Sequence, residues 1–238
     1  MRVLAIASRK GGSGKTTLSG HVAVAAERDG MGPVAVMDID PQGSLADWWN
    51  VRAQATPLFA QATLPTLAAD VARLAGSGVQ FLVIDTPPAI TGTIESVIGV
   101  ADLVLVPTRP SPHDLRSLGA TVDLVERVGK PLVFVLNGAT PRARITSEAA
   151  EALAAHGPLA PTIIHQRVDF AASMIDGRTV VEVAGAERAA EEIEGLWRYL
   201  RLRLRLFGGL RSFDQPMGRA LPSPSGGFGA PLMAREAS

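Results

Sequence analysis

The sequence predicts a doubly wound, mostly parallel α/β sheet with helices on both faces. Three observations carry this. Short, uniformly apolar runs rich in β-branched residues recur along the chain, which is the pattern of strands covered on both faces. Stretches with helical spacing lie between several of them. A glycine-rich, lysine-bearing turn, "SRKGGSGKTT" at residues 8 to 17, separates the first run from the first helical stretch.

The first strand is read over 2 to 7, "RVLAIA", and a helix follows from Thr16 to Asp29 with Leu18, Val22 and Ala25 on one side. Further strands are read at 33 to 40 ("PVAVMDID"), 80 to 86 ("QFLVIDT"), 102 to 108 ("DLVLVPT"), 131 to 137 ("PLVFVLN") and 161 to 165 ("PTIIH"). Leu67, Val71 and Leu74 mark a helix over 65 to 74. Pro107 and Pro110 stiffen a loop before a helix starting near Asp114, which serves as its N-cap if that loop is only a connection. Residues 187 to 207, "ERAAEEIEGLWRYLRLRLRLF", form a last helix with glutamates early and arginines late, as the helix dipole favours. From 208 to 238 the composition shifts to Gly, Pro and Ser, so the expected division is a domain over 1–207 and a flexible tail over 208–238.

Bulk properties narrow the function. Lys+Arg 23 balances Asp+Glu 23, so any attraction to DNA or lipid must come from a local patch. With no cysteine, disulfides, thiol catalysis and thiolate zinc sites are excluded, and a reducing cytoplasm fits. No apolar run approaches the roughly 18 residues of a spanning helix. The four histidines show no metal spacing, and the expected protein is soluble and cytoplasmic.

"GSGKTT" after a strand and before a helix carries the key part of a P-loop, with backbone N–H groups of Gly11, Gly12, Ser13, Gly14, Lys15, Thr16 and Thr17 around phosphates. Lys15 reaches the β/γ oxygens and the Thr16 hydroxyl is offered to Mg²⁺. The usual first glycine is replaced by Arg9, and a second lysine, Lys10, stands at the loop entrance.

"KGGSGKTT" resembles the deviant Walker A loop of the ParA/MinD family of P-loop ATPases, closest to the small ParA-like partition ATPases. The resemblance extends over roughly residues 1 to 205. It implies ATP and Mg²⁺ as cofactors and a nucleotide-sandwich homodimer in which Lys10 reaches the partner's phosphates. "VMDIDPQGSLADWW" is similar to the family's second motif, so that Asp40 orients the attacking water and helps hold the magnesium shell. Asp38 either supports that loop or caps the strand end. "FLVIDTPP" matches a Walker B strand and places Asp85 near Mg²⁺, and "VLNGA" resembles the strand end whose asparagine, here Asn137, contacts adenine. The segment 106 to 119 either lies near the dimer interface or is a plain connection.

The same resemblance implies slow, partner-stimulated ATP hydrolysis, nonspecific DNA binding by the dimer, a ParB-like or other adaptor, and positioning or segregation of a plasmid, chromosome region or protein cargo, hence nucleoid association. The chain reads as a small member without an N-terminal helix-turn-helix extension. Arg167, Arg201, Arg203 and Arg205 are the DNA-binding candidates. The stripe Ile193, Leu196, Trp197, Leu200, Leu204 and Phe207 is expected to dock the last helix on its own domain, with membrane binding ranked after DNA. The alternatives are a MinD-like or MipZ-like regulator of cell division and a P-loop phosphotransferase.

Overall fold

A computed structural model describes residues 1–88 and 91–208. In chain order the elements are β1 (Arg2–Ile6), α1 (Lys15–Arg28), β2 (Val34–Asp38), α2 (Ser44–Asn50), β3 (Leu58–Gln61), α3 (Leu67–Gly76), β4 (Phe81–Asp85), α4 (Thr91–Val100), β5 (Leu103–Thr108), α5 (Pro112–Val128), β6 (Leu132–Ala139), α6 (Arg144–Ala154), β7 (Ile164–His165), α7 (Val168–Met174), a 3₁₀ turn at Val180–Glu182, and α8 (Glu187–Gly208). The sheet has seven strands in the order β3-β2-β4-β1-β5-β6-β7. Every pairing is parallel, so the doubly wound reading holds. The predicted flexible tail lies outside the described residues beyond Gly208.

The alternation of each strand builds two cores. Leu4, Ile6, Val36, Phe81, Val83, Leu105 and Val135 pack with α1, α2 and α8. Val3, Ala5, Met37, Leu82, Ile84, Val106 and Phe134 pack with α3, α4, α5 and α6. With both faces covered, the strands need apolar residues at every position, and this is why they read as unbroken runs.

α8 docks as expected. Ile193, Leu196, Trp197, Leu200 and Leu204 are buried, the Trp197 ring lies 5.1 Å from Phe81, and its Nε1 donates to Asp29 at 2.8 Å. Each such side chain contributes about 1.5–3 kcal/mol on burial, far more than its neighbouring surface ion pairs. The side chain of Phe207, the last residue of the predicted stripe, lies outside the described residues. Leu202 and Leu206 are exposed on the outer side of the helix.

Three readings need correction. β3 and the helices α2, α4, α6 and α7 were not read from the sequence. β7 is only two residues, because most of 161–165 is loop. α5 begins at Pro112, with Ser111 rather than Asp114 as its N-cap; the Asp114 backbone N–H donates to Ser111 Oγ at 3.1 Å. Proline at the first helical position leaves no donor unpaired there, which favours the earlier start.

His21, on α1, is fully buried beneath α7. Its Nδ1 lies 2.8 Å from the Thr17 carbonyl, its Nε2 3.4 Å from Ser173 Oγ, and its ring meets the Phe170 edge-on at 5.3 Å. Burial, opposed by the Thr17 carbonyl and the Glu182 charge, pushes its pKa down from 6.5 to about 4. The unfolded chain therefore binds a proton at a higher pH than the folded one. The stabilisation is fully present above pH 6.5 and is lost as pH falls towards 4, by about 3 kcal/mol in total. Urea unfolding of the parent and of His21→Gln between pH 7.5 and 4.5 is expected to show a shallower loss in the variant; parallel curves would contradict this.

Candidate nucleotide-binding site

The site is built where β1, β2 and β4 end together. Ile6 pairs with Asp85, and Asp38 pairs with Asp85, so the two carboxylates lie side by side at the root of the loop leaving β1. That loop turns through Gly12 and Gly14, at φ 71° and 93°, into α1. A side chain on Gly14 would run into the amide of Asn137, so the position requires glycine twice over.

Lys15 is only 7% exposed. Burial lowers its pKa, against the charges of Asp85 and Asp40, which favour the ammonium. Thr16 Oγ1 donates to Asp85 Oδ2 at 2.6 Å. Burial pushes the Asp85 carboxyl up to about 7, the Thr16 hydrogen bond and Lys15 charge opposing it and the charges of Asp38 and Asp40 adding to it. A buried carboxylate and a hydroxyl joined this way beside a lysine suit a hard divalent cation with phosphate oxygens. The Ser13 hydroxyl is buried without a hydrogen-bond partner, as expected of a group kept for a ligand. The residues present therefore fit Mg²⁺ with a polyphosphate.

Asp38 supports the loop that follows β2, and beyond the two readings left open by the sequence it also caps a helix. Its Oδ1 accepts the Asp40 backbone N–H at 2.9 Å, while Oδ2 accepts those of Leu45 and Ala46 at 3.0 and 3.1 Å. It thereby caps α2, whose N-cap residue Gly43 has no side chain, and ties the loop carrying Asp40 to the end of β2. Burial still raises its pKa, against these three backbone hydrogen bonds. Asp40 itself is half-buried and accepts the Gln42 N–H at 3.0 Å. Trp48 and Trp49 pack, their indole N–H groups donating to the Arg178 and Pro57 carbonyls at 3.2 and 2.7 Å.

Two adjoining cavities follow. One, of about 350 Å³, is bounded by the glycine loop, Lys15, Thr16, Asp40 and Arg109. The other, of about 230 Å³, is bounded by Asn137, Gly138, Ile164, Gln166, Arg167 and Phe170. Asn137 Nδ2 donates to the Ser13 carbonyl at 2.7 Å, leaving its Oδ1 as an acceptor in the second cavity. The first has the cations and hydroxyls for phosphates, the second the apolar Leu18, Ile164 and Phe170 and the Asn137 amide for a base. Lys10 is exposed at the loop entrance and lines neither.

Of the DNA-binding candidates, three share the last turns of α8 and Arg167 stands elsewhere. Arg167 stands at the base cavity, paired to Glu192 at 2.7 Å, and that carboxylate also meets His165 Nδ1 at 2.8 Å. Arg201 pairs with Asp29 at the end of α1, Arg203 lies over Tyr199, and Arg205 is exposed. The sequence reading missed Arg109; its one signal was a charged residue between Pro107 and Pro110 just past a strand end.

A parallel sheet with a glycine loop, a buried lysine and two strand-end carboxylates defines a P-loop nucleotide-binding protein. Residues 4–180 match the model of the CobQ/CobB/MinD/ParA nucleotide-binding domain, and the chain belongs to that family of P-loop ATPases. It is 30% identical over 203 residues to the maintenance of carboxysome distribution protein A of Halothiobacillus neapolitanus, covering 80% of this chain and 92% of that one. Its fold is similar to that of Cyanothece McdA(D38A) in complex with ATP, at a TM-score of 0.70 and 18% identity over 84% of this chain and 96% of that one. It also resembles the septum site-determining protein MinD of Pyrococcus horikoshii with Mg-ADP, at a TM-score of 0.70 and 18% identity over 87% and 98%.

Proposed function

We propose that this protein is a ParA-like ATPase switch comprising residues 1–207, with 208–238 as a separate tail. It binds Mg·ATP, closes into a sandwich homodimer, holds nonspecific DNA as that dimer, and lets go when hydrolysis separates the subunits. The observation that carries this is the contrast between the two lysines of one loop. Lys15 is buried in the phosphate cavity, whereas Lys10 is exposed and outside it, which supports a role toward a neighbouring subunit.

In this reading Lys15 holds the β/γ oxygens and the loop N–H groups cradle them. Thr16 and Asp85, with Asp40 nearby, would hold Mg²⁺, which when bound neutralises phosphate charge. Asp40 orients the attacking water, and Lys10 of the second subunit compensates the charge that develops on the transferring phosphoryl group. Asn137 accepts from the exocyclic amine of adenine. Hydrolysis is slow until an adaptor, ParB-like or other, stimulates it. A relative named for maintaining carboxysome distribution supports a protein assembly as the cargo, beside a plasmid or a chromosome region. Association with the nucleoid follows from the DNA step.

A second reading, a MinD-like regulator at a membrane surface, is favoured by the exposed Leu202 and Leu206 among Arg198 and Arg205 on α8. Among the described residues no helix is long and apolar enough to cross a membrane. Salt separates the two readings. If four phosphates are contacted, the log–log slope is about −3.6 and affinity for random-sequence duplex DNA falls roughly 150-fold between 50 and 200 mM salt. The ATP-bound protein is expected to show this in gel shifts. Arg205→Ala, and more so the joint replacement of Arg201, Arg203 and Arg205, is expected to weaken binding, as is Arg167→Ala. Sedimentation with anionic liposomes and no DNA shift at any salt would establish the membrane reading instead.

A further inference from the structure

Arg109 stands where the two cavities meet. Three residues border both, Gly14, Thr17 and Arg109, and of these only Arg109 carries a charge. The sheet puts it there. The Ala7 N–H donates to the Leu105 carbonyl, so β5 runs three more residues, roughly 10 Å, beyond the root of the glycine loop before Thr108 ends it. Thr108 pairs with Leu136 on the other side, which brings the next residue beside Asn137 and Gly138. Gly138 adopts φ 66° and has no side chain; the Nε and Cγ of Arg109 lie 3.6 and 3.8 Å from where its Cβ would be. The guanidinium stem thus lies across the end of β6, over the glycine.

Its backbone is fixed on both sides. Pro110 restricts the residue before it to extended conformations. The Ser111 N–H donates to the Arg109 carbonyl at 2.7 Å, and Ser111 in turn caps α5. The side chain is exposed and forms no ion pair among the described residues. The other guanidinium at the base cavity, Arg167, is already committed to Glu192.

A nucleotide with its phosphates in one cavity and its base in the other must lay its ribose and α-phosphate over the shared border. We propose that Arg109 is a second own-chain cation for the nucleotide, acting on the ribose–α-phosphate portion that ATP and ADP have in common. A planar guanidinium suits that task, because it can donate two parallel hydrogen bonds to one phosphate or one each to phosphate and ribose. The inference rests on the nucleotide reading of the two cavities and is independent of dimerisation and of DNA.

Titration calorimetry of the full chain with ADP and with ATP tests it. Arg109→Ala is expected to weaken both nucleotides alike, by about 10-fold, the usual loss for a charge-assisted hydrogen bond at a half-open site. Arg109→Lys is expected to recover part of the affinity, since it keeps charge but not the fork. An unchanged melting temperature without nucleotide separates this from a folding defect. Affinities of Arg109→Ala within twofold of the parent for both nucleotides would overturn the assignment. So would a loss confined to ATP, which would put the contact at the γ-phosphate. A parent that binds neither nucleotide would overturn the nucleotide reading itself.

Discussion

Lys15→Ala is expected to weaken ATP and ADP binding by roughly 10²- to 10⁴-fold, because it removes the one lysine inside the phosphate cavity. Removing one member of a buried charge pair costs about 3–5 kcal/mol, since the charge left behind has lost its water as well as its partner. The same argument applies within the protein. Asp85 is 1% exposed, and the Lys15 charge favours its ionised form beside the stronger Thr16 hydrogen bond, so the variant is also expected to raise the Asp85 pKa further and weaken the hold on a divalent cation. Calorimetric titration with ATP and MgCl₂ measures the effect; an affinity within tenfold of the parent would mean that phosphates are held elsewhere.

Asp40→Ala is expected to slow hydrolysis by about 10²- to 10⁴-fold while changing ATP affinity only a few-fold. Asp40 borders the phosphate cavity, and its carboxylate accepts the Gln42 N–H of its own loop rather than bonding a residue of the glycine loop. The proposed role on the attacking water puts its contribution on the way to the transition state. The deletion removes the acceptor of the Gln42 N–H, while the Asp40 backbone N–H still bonds Asp38 and ties the loop to the end of β2. Phosphate release under saturating ATP gives the rate, and a matching loss of affinity would assign Asp40 to binding instead.

Much of this arrangement is legible in the sequence because local pattern and tertiary role coincide there. The central strands are buried on both faces and so are apolar throughout, and the glycine loop must sit between a strand and a helix to work at all. β3 is different. It is an edge strand with Leu58 exposed, four residues long, and preceded by proline, so neither period nor length marks it. α7 is only seven residues long, and its exposed Val168 hides its helical period.

The site was legible in its single-chain motifs and not in its pairings. That Asp38 and Asp85 stand level depends on the register of β2 with β4, which no local spacing encodes. The three backbone N–H groups on Asp38 come from a turn that only folding brings round. Arg167 reads as one more arginine near the C-terminal set, yet the short β7 delivers it to the base cavity while α8 carries Arg201 to the far end of α1. Arg109 is legible only in retrospect, because its meaning lies in β5 and β6 ending beside each other.

The central claim is that nucleotide joins two copies of the chain through Lys10, and light scattering on a size-exclusion column tests it most directly. Asp40→Ala with ATP and Mg²⁺ should elute at twice the monomer mass, and without nucleotide at the monomer mass. Adding Lys10→Ala to that variant should leave ATP bound, within about tenfold of the same affinity, and return the protein to a monomer. A double variant that still dimerises with ATP as Asp40→Ala does would contradict the claim.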